Sequence, residues 1–412
     1  MTKPLIVRNI GELVRYNSVS ESMEVLHDVE MIVEDGLVRE IGTDLYSAEF
    51  DVADAAGLLV TPGFVDSHTH PVFFDTREME FEMRIMGKSY LEIAAAGGGI
   101  RSSVRSLRSA DAGDLKNRVR RRLDDFLQFG TTTIEAKSGY GLTPESELMS
   151  LQLLKELATD HPLDILRTFL GAHEYPDEYR DDHEGYLDVI INKMLPQVAR
   201  EGLAEFCDVF CEEGVFSVDE SRRVLEAAKF LGLGIRLHAE EFKPIGGVQL
   251  AVRLGALSAD HLTAISEEGI EVLAQGNIVP VLLPATTFFL GSDRYAPGRK
   301  MWDRGLPVAI ATDFNPGSSM TQSMPLVVAL ACLKLHLTPL EALQAATHNA
   351  ARALALSQQT GSLEAGKLAD FVIWRFQHYQ GIPYFLGYPS IRSVWKRGKR
   401  VWTASRSAGA LQ

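Results

Sequence analysis

Three cysteines in 412 residues are too few and too central for a disulfide framework. Cys207 and Cys211 sit in an apolar run and are expected to serve as small strand residues, not as metal thiolates. Basic residues are also short. Lys and Arg number 41 against 55 Asp and Glu, a formal charge of −14, which argues against nucleic acid or an anionic membrane as a partner. An anionic substrate would therefore have to be met by particular local Arg or Lys side chains. The longest apolar window, Pro325 to Leu333, falls far short of the roughly 20 residues a membrane span needs. Met1 to Arg15 has neither the basic start nor the apolar core of a signal peptide, so a cytoplasmic protein is expected. What is present is ordinary for a globular chain: 46% hydrophobic and 23% charged residues, enough for one large domain and a smaller one.

The two ends of the chain are alike. Met31-Ile32-Val33 and Leu37-Val38 flank the hairpin signal Glu34-Asp35-Gly36. Near the other end, Ala369 to Arg375 and Val394 to Val401 flank or contain the polar turn Lys396-Arg397-Gly398-Lys399. Residues 1–62 and 357–412 are therefore expected to pair into one small β-sandwich domain. Between them, residues 63–356 alternate short apolar runs with amphipathic helices, the pattern of a parallel α/β sheet. The strand candidates number eight: Phe64–His70, Thr131–Lys137, Ile165–His173, Glu205–Glu212, Gly234–Glu240, Ser258–Leu262, Ile278–Pro284 and Pro307–Asp313. Leu115, Val119, Leu123 and Leu127 mark one helix face, and Thr338-Pro339-Leu340-Glu341 has capping-box spacing. Eight such units fit a (β/α)8 TIM-like barrel, whose active site lies at the C-terminal ends of its strands.

Polar residues end the strands where that rule needs them: His68 and His70 on the first, His173 on the third, His238 on the fifth, His261 on the sixth and Asp313 on the eighth. A lone His-x-His is a weak signal, but the others accumulate at equivalent places. Two histidines of the first strand with His238 and Asp313 offer three nitrogens and one oxygen, a donor set suited to zinc or iron. Such an ion lowers the pKa of water from 15.7 to about 7 and polarises a carbonyl. Glu241, three residues past His238, is placed as a general base, and His261 as an oxyanion donor or proton shuttle. Asp66 shares the face of His68 and is expected to orient a ligand histidine. The remaining histidines, His27, His161, His183, His336, His348 and His378, are read as structural or surface residues.

The opening Thr61-Pro62-Gly63-Phe64-Val65-Asp66-Ser67-His68-Thr69-His70 and the late Gly361-x-Leu363-x-x-Gly366-Lys367-x-Ala369-Asp370 resemble the amidohydrolase superfamily. One departure matters. Two-metal members carry a bridging lysine at the end of strand four, where this chain has Glu212-Glu213, and Lys137 ends strand two instead. The resemblance thus implies one divalent or trivalent ion per subunit, Zn or Fe, held by His68, His70, His238 and Asp313. Further motifs narrow the resemblance: Arg77-Glu78-x-Glu80-Phe81-Glu82, Gly97-Gly98-Gly99-Ile100, Glu135-Ala136-Lys137-Ser138-Gly139-Tyr140-Gly141, Gly171-Ala172-His173-Glu174, His238-Ala239-Glu240-Glu241, Ala259-Asp260-His261-Leu262 and Ala311-Thr312-Asp313-Phe314-Asn315-Pro316-Gly317. They imply hydrolysis of the ring amide of 4-imidazolone-5-propanoate to N-formimidoyl-L-glutamate, a step of histidine breakdown. Arg77, Tyr90, Tyr140, His173 and Glu241 then match positions around the substrate, and Asn315, Gly317 and Ser318 positions that hold the product. Glu241, His261 and Asp313 are the expected catalytic groups. The competing reading is a related amidohydrolase that deaminates a purine or pyrimidine. The expected partners are a small-molecule substrate and, in a homodimer, a second copy of the chain.

Overall fold

A computed structural model describes residues 3–88, 92 and 97–404. The chain begins with β1 (Leu5–Asn17), β2 (Ser22–Glu34), β3 (Leu37–Gly42) and β4 (Asp51–Pro62). Eight strands follow: β5 (Phe64–Asp66), β6 (Thr131–Lys137), β7 (Asp164–Ala172), β8 (Phe206–Cys211), β9 (Gly234–Ala239), β10 (Ser258–His261), β11 (Val279–Leu282) and β12 (Ala309–Ile310). The chain returns in β13 (Phe371–Trp374), β14 (Ile391–Lys396) and β15 (Lys399–Thr403). Each of the eight expected central strands is present, and together they form one parallel sheet in sequential order from β5 to β12. Helices lie between most of them. Asp111 caps the helix Ala112–Gln128, which buries Leu115, Val119, Leu123 and Leu127 as its periodicity requires. Thr338 and Glu341 form the expected capping box of Pro339–Ala346.

The barrel closes at the histidines. β5 is shorter than its sequence suggests, ending at Asp66, and its extension pairs with the segment beyond β12: Thr69 bridges Phe314. Asp313 N donates to His68 O at 3.0 Å, and His70 N to Phe314 O at 2.9 Å. The Asp66 carboxylate fastens the seam from below, accepting the Thr312 amide at 3.0 Å and its hydroxyl at 2.6 Å. Asp66 thus orients the closing strand, and it also takes a backbone hydrogen bond from His68 on its own strand.

Both ends build the second sheet, in the order β15-β14-β13-β4-β1-β2-β3. Its two tight hairpins use residues with positive φ, Asp35 and Gly36 in one and Arg397 and Gly398 in the other, matching the right-handed twist of the strands. The sheet folds over itself where Leu37 bridges Leu368 and Ala369 N donates to Gly36 O at 2.9 Å. Val7, Ile10, Leu13, Met31, Val60, Leu363 and Phe371 fill the space enclosed.

The two sheets are clamped by the Gly361 to Asp370 segment. Asp370 O accepts from Gly63 N at 2.9 Å, at the entrance to β5. Its carboxylate takes Lys396 Nζ at 2.5 Å, and the same ammonium reaches Asp164, the first residue of β7, at 2.5 Å. Removing one partner of a buried pair leaves the other charge uncompensated, so Lys396→Met is expected to cost about 3 kcal/mol in urea unfolding. A loss under about 1 kcal/mol, the surface-pair range, would show the clamp to be incidental.

Candidate metal centre

Three donor atoms face one another at the closure seam. His68 Nε2 and His70 Nε2 are 3.2 Å apart, and Asp313 Oδ1 lies 3.5 and 3.4 Å from them. Donors bound tetrahedrally at about 2.0–2.2 Å are separated by about 3.3–3.6 Å, so this triangle fits one ion. All three side chains are buried. Burial first, with Lys137 and neighbouring histidines adding to it, holds His68 and His70 well below the usual imidazole range. They are neutral, the form that binds metal. His238 joins through His68: their rings are 4.6 Å apart, and donor atoms of His68, His238 and His261 lie within 4.8 Å of one another. His261 reaches this group because the chain turns there. Continuing the strand would aim it away from Asp260, but its φ of 77° ends β10 and swings the ring toward His68 and His238. Asp313 has a positive φ of 51° as well, the kind of backbone strain that gathers at functional sites.

Four supporting residues escape a reading of the sequence. Asp260 Oδ2 lies 2.6 Å from His68 Nδ1. Asp208 accepts the His238 backbone amide at 3.1 Å and stands 3.0 Å from its Nδ1, a short but bent contact. Thr286 donates to Asp313 Oδ2 at 2.7 Å, leaving Oδ1 to the histidines. Arg236 holds Ser67 O at 2.8 Å and Asp260 at 3.2 Å. Two of them carried a signal. Arg236 shares the face of His238 by strand alternation, and Asp208 is the one charge in the apolar run Phe206–Cys211. Lys137, set aside above as a bridging ligand, pairs with Glu135 at 2.6 Å and Asp208 at 2.7 Å.

The expected substrate residues are only partly assembled. Tyr140 and His173 meet edge to face, ring centroids 5.3 Å apart, and His173 stacks on His70 at 5.3 Å. His173 Nδ1 lies 2.8 Å from Gly139 O, and burial above all lowers its pKa to about 3. Burial raises the Tyr140 phenol, which stays protonated. Glu241 approaches His261 Nδ1 at 3.6 Å. Burial, then Asp313 and Glu212, push its carboxyl well above the usual range. Arg77 is paired: Nε and Nη2 both hold one oxygen of Glu80, at 2.8 and 2.7 Å, while its guanidinium fills the space where a Cβ on Gly317 would project. Asn315 spends its amide inside its own turn, donating to Asp313 O at 2.7 Å and accepting from the amides of Gly317 and Ser318 at 2.8 Å. In this arrangement Asn315 and Ser318 shape the loop. Tyr90 lies outside the described residues.

A parallel barrel with histidine and aspartate donors converging at its C-terminal mouth defines an amidohydrolase. The sequence model of the Amidohydrolase family matches residues 59–401. The chain is 46% identical to the imidazolonepropionase of Geobacillus thermodenitrificans strain NG80-2, covering 97% of this chain and 98% of that one. It is 44% identical to the imidazolonepropionase of Brevibacillus brevis, covering 99% and 100%. The chain belongs to the amidohydrolase family, in its imidazolonepropionase branch. Among solved structures, a Xaa-Pro dipeptidase with bound methionine superposes with a TM-score of 0.73 at 16% identity, covering 97% of this chain and 100% of that one. Guanine deaminase of E. coli does so with 0.70 at 17%, covering 98% and 100%. At that identity the likeness is one of fold.

Proposed function

We propose that this chain hydrolyses 4-imidazolone-5-propanoate to N-formimidoyl-L-glutamate in histidine degradation. Residues 63–356 form the catalytic unit in this reading, and 1–62 with 357–412 the supporting one. The observation that carries the chemistry is the triangle of His68, His70 and Asp313 donors, with full-length similarity to imidazolonepropionases supplying the substrate.

His68, His70, His238 and Asp313 would hold one zinc or iron ion, whose Lewis acidity lowers the pKa of water and polarises a carbonyl. The reaction adds water across the ring amide: oxygen joins the carbonyl carbon, the C–N bond breaks, and a proton ends on the leaving nitrogen. Glu241 takes the proton from water. Its raised pKa makes it a stronger base than an exposed carboxylate. His261, 3.6 Å away, stabilises the developing oxyanion and relays the proton. Neutral His173 and Tyr140 form the wall on which the ring packs and offer hydrogen bonds to its polar edge. Asn315, Gly317 and Ser318 form the loop that lines the product side, and Tyr90, outside the described residues, keeps a substrate role from the resemblance alone.

Arg77 binds the propanoate. Glu80 fixes one side of the guanidinium and leaves Nη1 against Gly317, so substrate and Glu80 share the cation. Arg77→Met is expected to lower kcat/KM by about 2–4 kcal/mol, mostly through KM, as for loss of a desolvated charge partner. A carboxylate-free imidazolone should be a poor substrate for the wild type and little worse for the variant. Equal damage to both would move Arg77 out of the substrate site. The purine or pyrimidine deaminase reading predicts the opposite preference and finds support only in fold-level likeness. This reading also carries a cytoplasmic homodimer. Tyr384, Leu386 and Tyr388 are exposed on one short segment, a surface that association would cover, and sedimentation across a concentration series tests it.

A further inference from the structure

Beneath the donor triangle, five fully buried ionisable side chains form one connected cluster. Glu135 and Asp208 share the Lys137 ammonium at 2.6 and 2.7 Å, Arg236 Nη2 lies 3.2 Å from Asp260, and Arg236 Nε lies 3.7 Å from Glu135. Thr168 donates its hydroxyl to Glu135. Burying so many charges is costly and rarely favours stability over an apolar filling, so their arrangement calls for another purpose. Two of the carboxylates lie beside Nδ1 of a histidine of the site, and for His68 this is the nitrogen opposite the one in the donor triangle. Asp260 is 2.6 Å from Nδ1 of His68, and Asp208 is 3.0 Å from Nδ1 of His238 while also gripping that residue's backbone amide.

We propose that Asp260 and Asp208 are positioning residues that fix the Nδ1–H tautomer of His68 and His238 before any metal arrives, and that Arg236 and Lys137 hold the two carboxylates at that task. The inference rests on the metal-centre reading above. Asp260 accepts the Nδ1 proton of His68, and Asp208, 3.0 Å from Nδ1 of His238 but off the hydrogen-bond angle, draws that ring's proton to the same nitrogen, which commits Nε2 as the lone-pair donor. The cations prevent either carboxylate from turning toward the ion and becoming a ligand: donor atoms of His68, Asp208 and Asp260 lie within 4.8 Å of one another, a set that would compete for metal.

Two measurements test this. In ¹⁵N-histidine-labelled, metal-free wild type, assigned by comparison with His68→Gln and His238→Gln, both residues should show the Nδ1–H tautomer. The Nε2–H tautomer at His68 or His238 overturns the proposal for that residue, and this result needs no folded Asp variant. In a chelator competition with Zn²⁺, Asp260→Asn and Asp208→Asn should bind about 10–100-fold more weakly than wild type. The double change Lys137→Met with Asp208→Asn removes a charge pair together and should show the same loss as Asp208→Asn, since the carboxylate is gone in both. Melting of each metal-free protein, recorded alongside, separates lost affinity from lost fold. Affinities within about threefold of wild type, outside the range for such neighbours, would overturn the role. Wild type that binds no Zn²⁺ would instead end the metal-centre reading itself, which is a different outcome.

Discussion

Asp313→Ala is expected to strip the protein of tightly held metal and to lower kcat/KM by more than the roughly 100-fold seen when only a ligand's neighbour is changed. Asp313 supplies the anionic corner of the triangle, 3.4 and 3.5 Å from two neutral imidazole nitrogens that are themselves 3.2 Å apart. Without it, the two imidazole nitrogens lose the only carboxylate oxygen of their triangle. The change also leaves the Thr286 hydroxyl without its acceptor and puts alanine at a φ of 51°, a left-handed conformation that Asp tolerates better than Ala. Asp313→Asn separates these effects. It keeps an oxygen and the shape but loses the charge, so metal affinity should fall while the metal-free protein melts near wild type. Thr286→Val should do less, within about 10–100-fold in affinity, because it frees Asp313 to rotate without removing it. Metal content equal to wild type in Asp313→Ala would move the centre to another nearby set, such as His68, His238 and His261.

Glu241→Gln should leave metal content unchanged and lower kcat by about 10²–10⁴-fold, the usual worth of a general base. The pH profile carries a second signature. Burial and the neighbouring Asp313 and Glu212 raise the Glu241 pKa in the metal-free protein, and in the active enzyme Glu241 must be deprotonated to act, which gives wild-type activity an acidic limb. That limb should vanish in the glutamine variant. The same shift has a sign in stability. The folded metal-free protein holds this proton more tightly than the unfolded chain, so the contribution of Glu241 to stability falls as pH rises from about 4.3 through the raised pKa. Gln lacks that dependence, and the two metal-free proteins should converge in relative stability toward acid. A kcat loss under about tenfold, below the general-base range, would transfer the role to His261 or Asp313.

Much of this was legible in the sequence, for a physical reason. Parallel barrel strands are apolar runs buried on both faces, and function sits where they end, so His68, His70, His238, His261 and Asp313 announce themselves as polar residues closing apolar stretches. Both hairpins of the outer sheet were equally visible in Asp35-Gly36 and Arg397-Gly398, because only certain residues tolerate positive φ there. Contacts between distant strands were not legible. That Asp260 serves His68, 192 residues away, and that Asp66 fastens Thr312, depend on register across the closing seam. Pattern alone cannot supply that register. Arg77 shows a different limit. Its sequence offered Glu78, Glu80 and Glu82 as partners or a substrate carboxylate as another, and the fold pairs it with Glu80 while keeping it beside Gly317.

The most direct test is a titration of the metal-free protein with Zn²⁺ or Fe²⁺ under anaerobic conditions. Conversion of freshly prepared 4-imidazolone-5-propanoate to N-formimidoyl-L-glutamate is followed at each addition. The account predicts no turnover without metal and a linear rise that breaks at about one equivalent per chain, as a single closed set of donors requires. Full turnover in the metal-free protein, or a break at two equivalents, would contradict it.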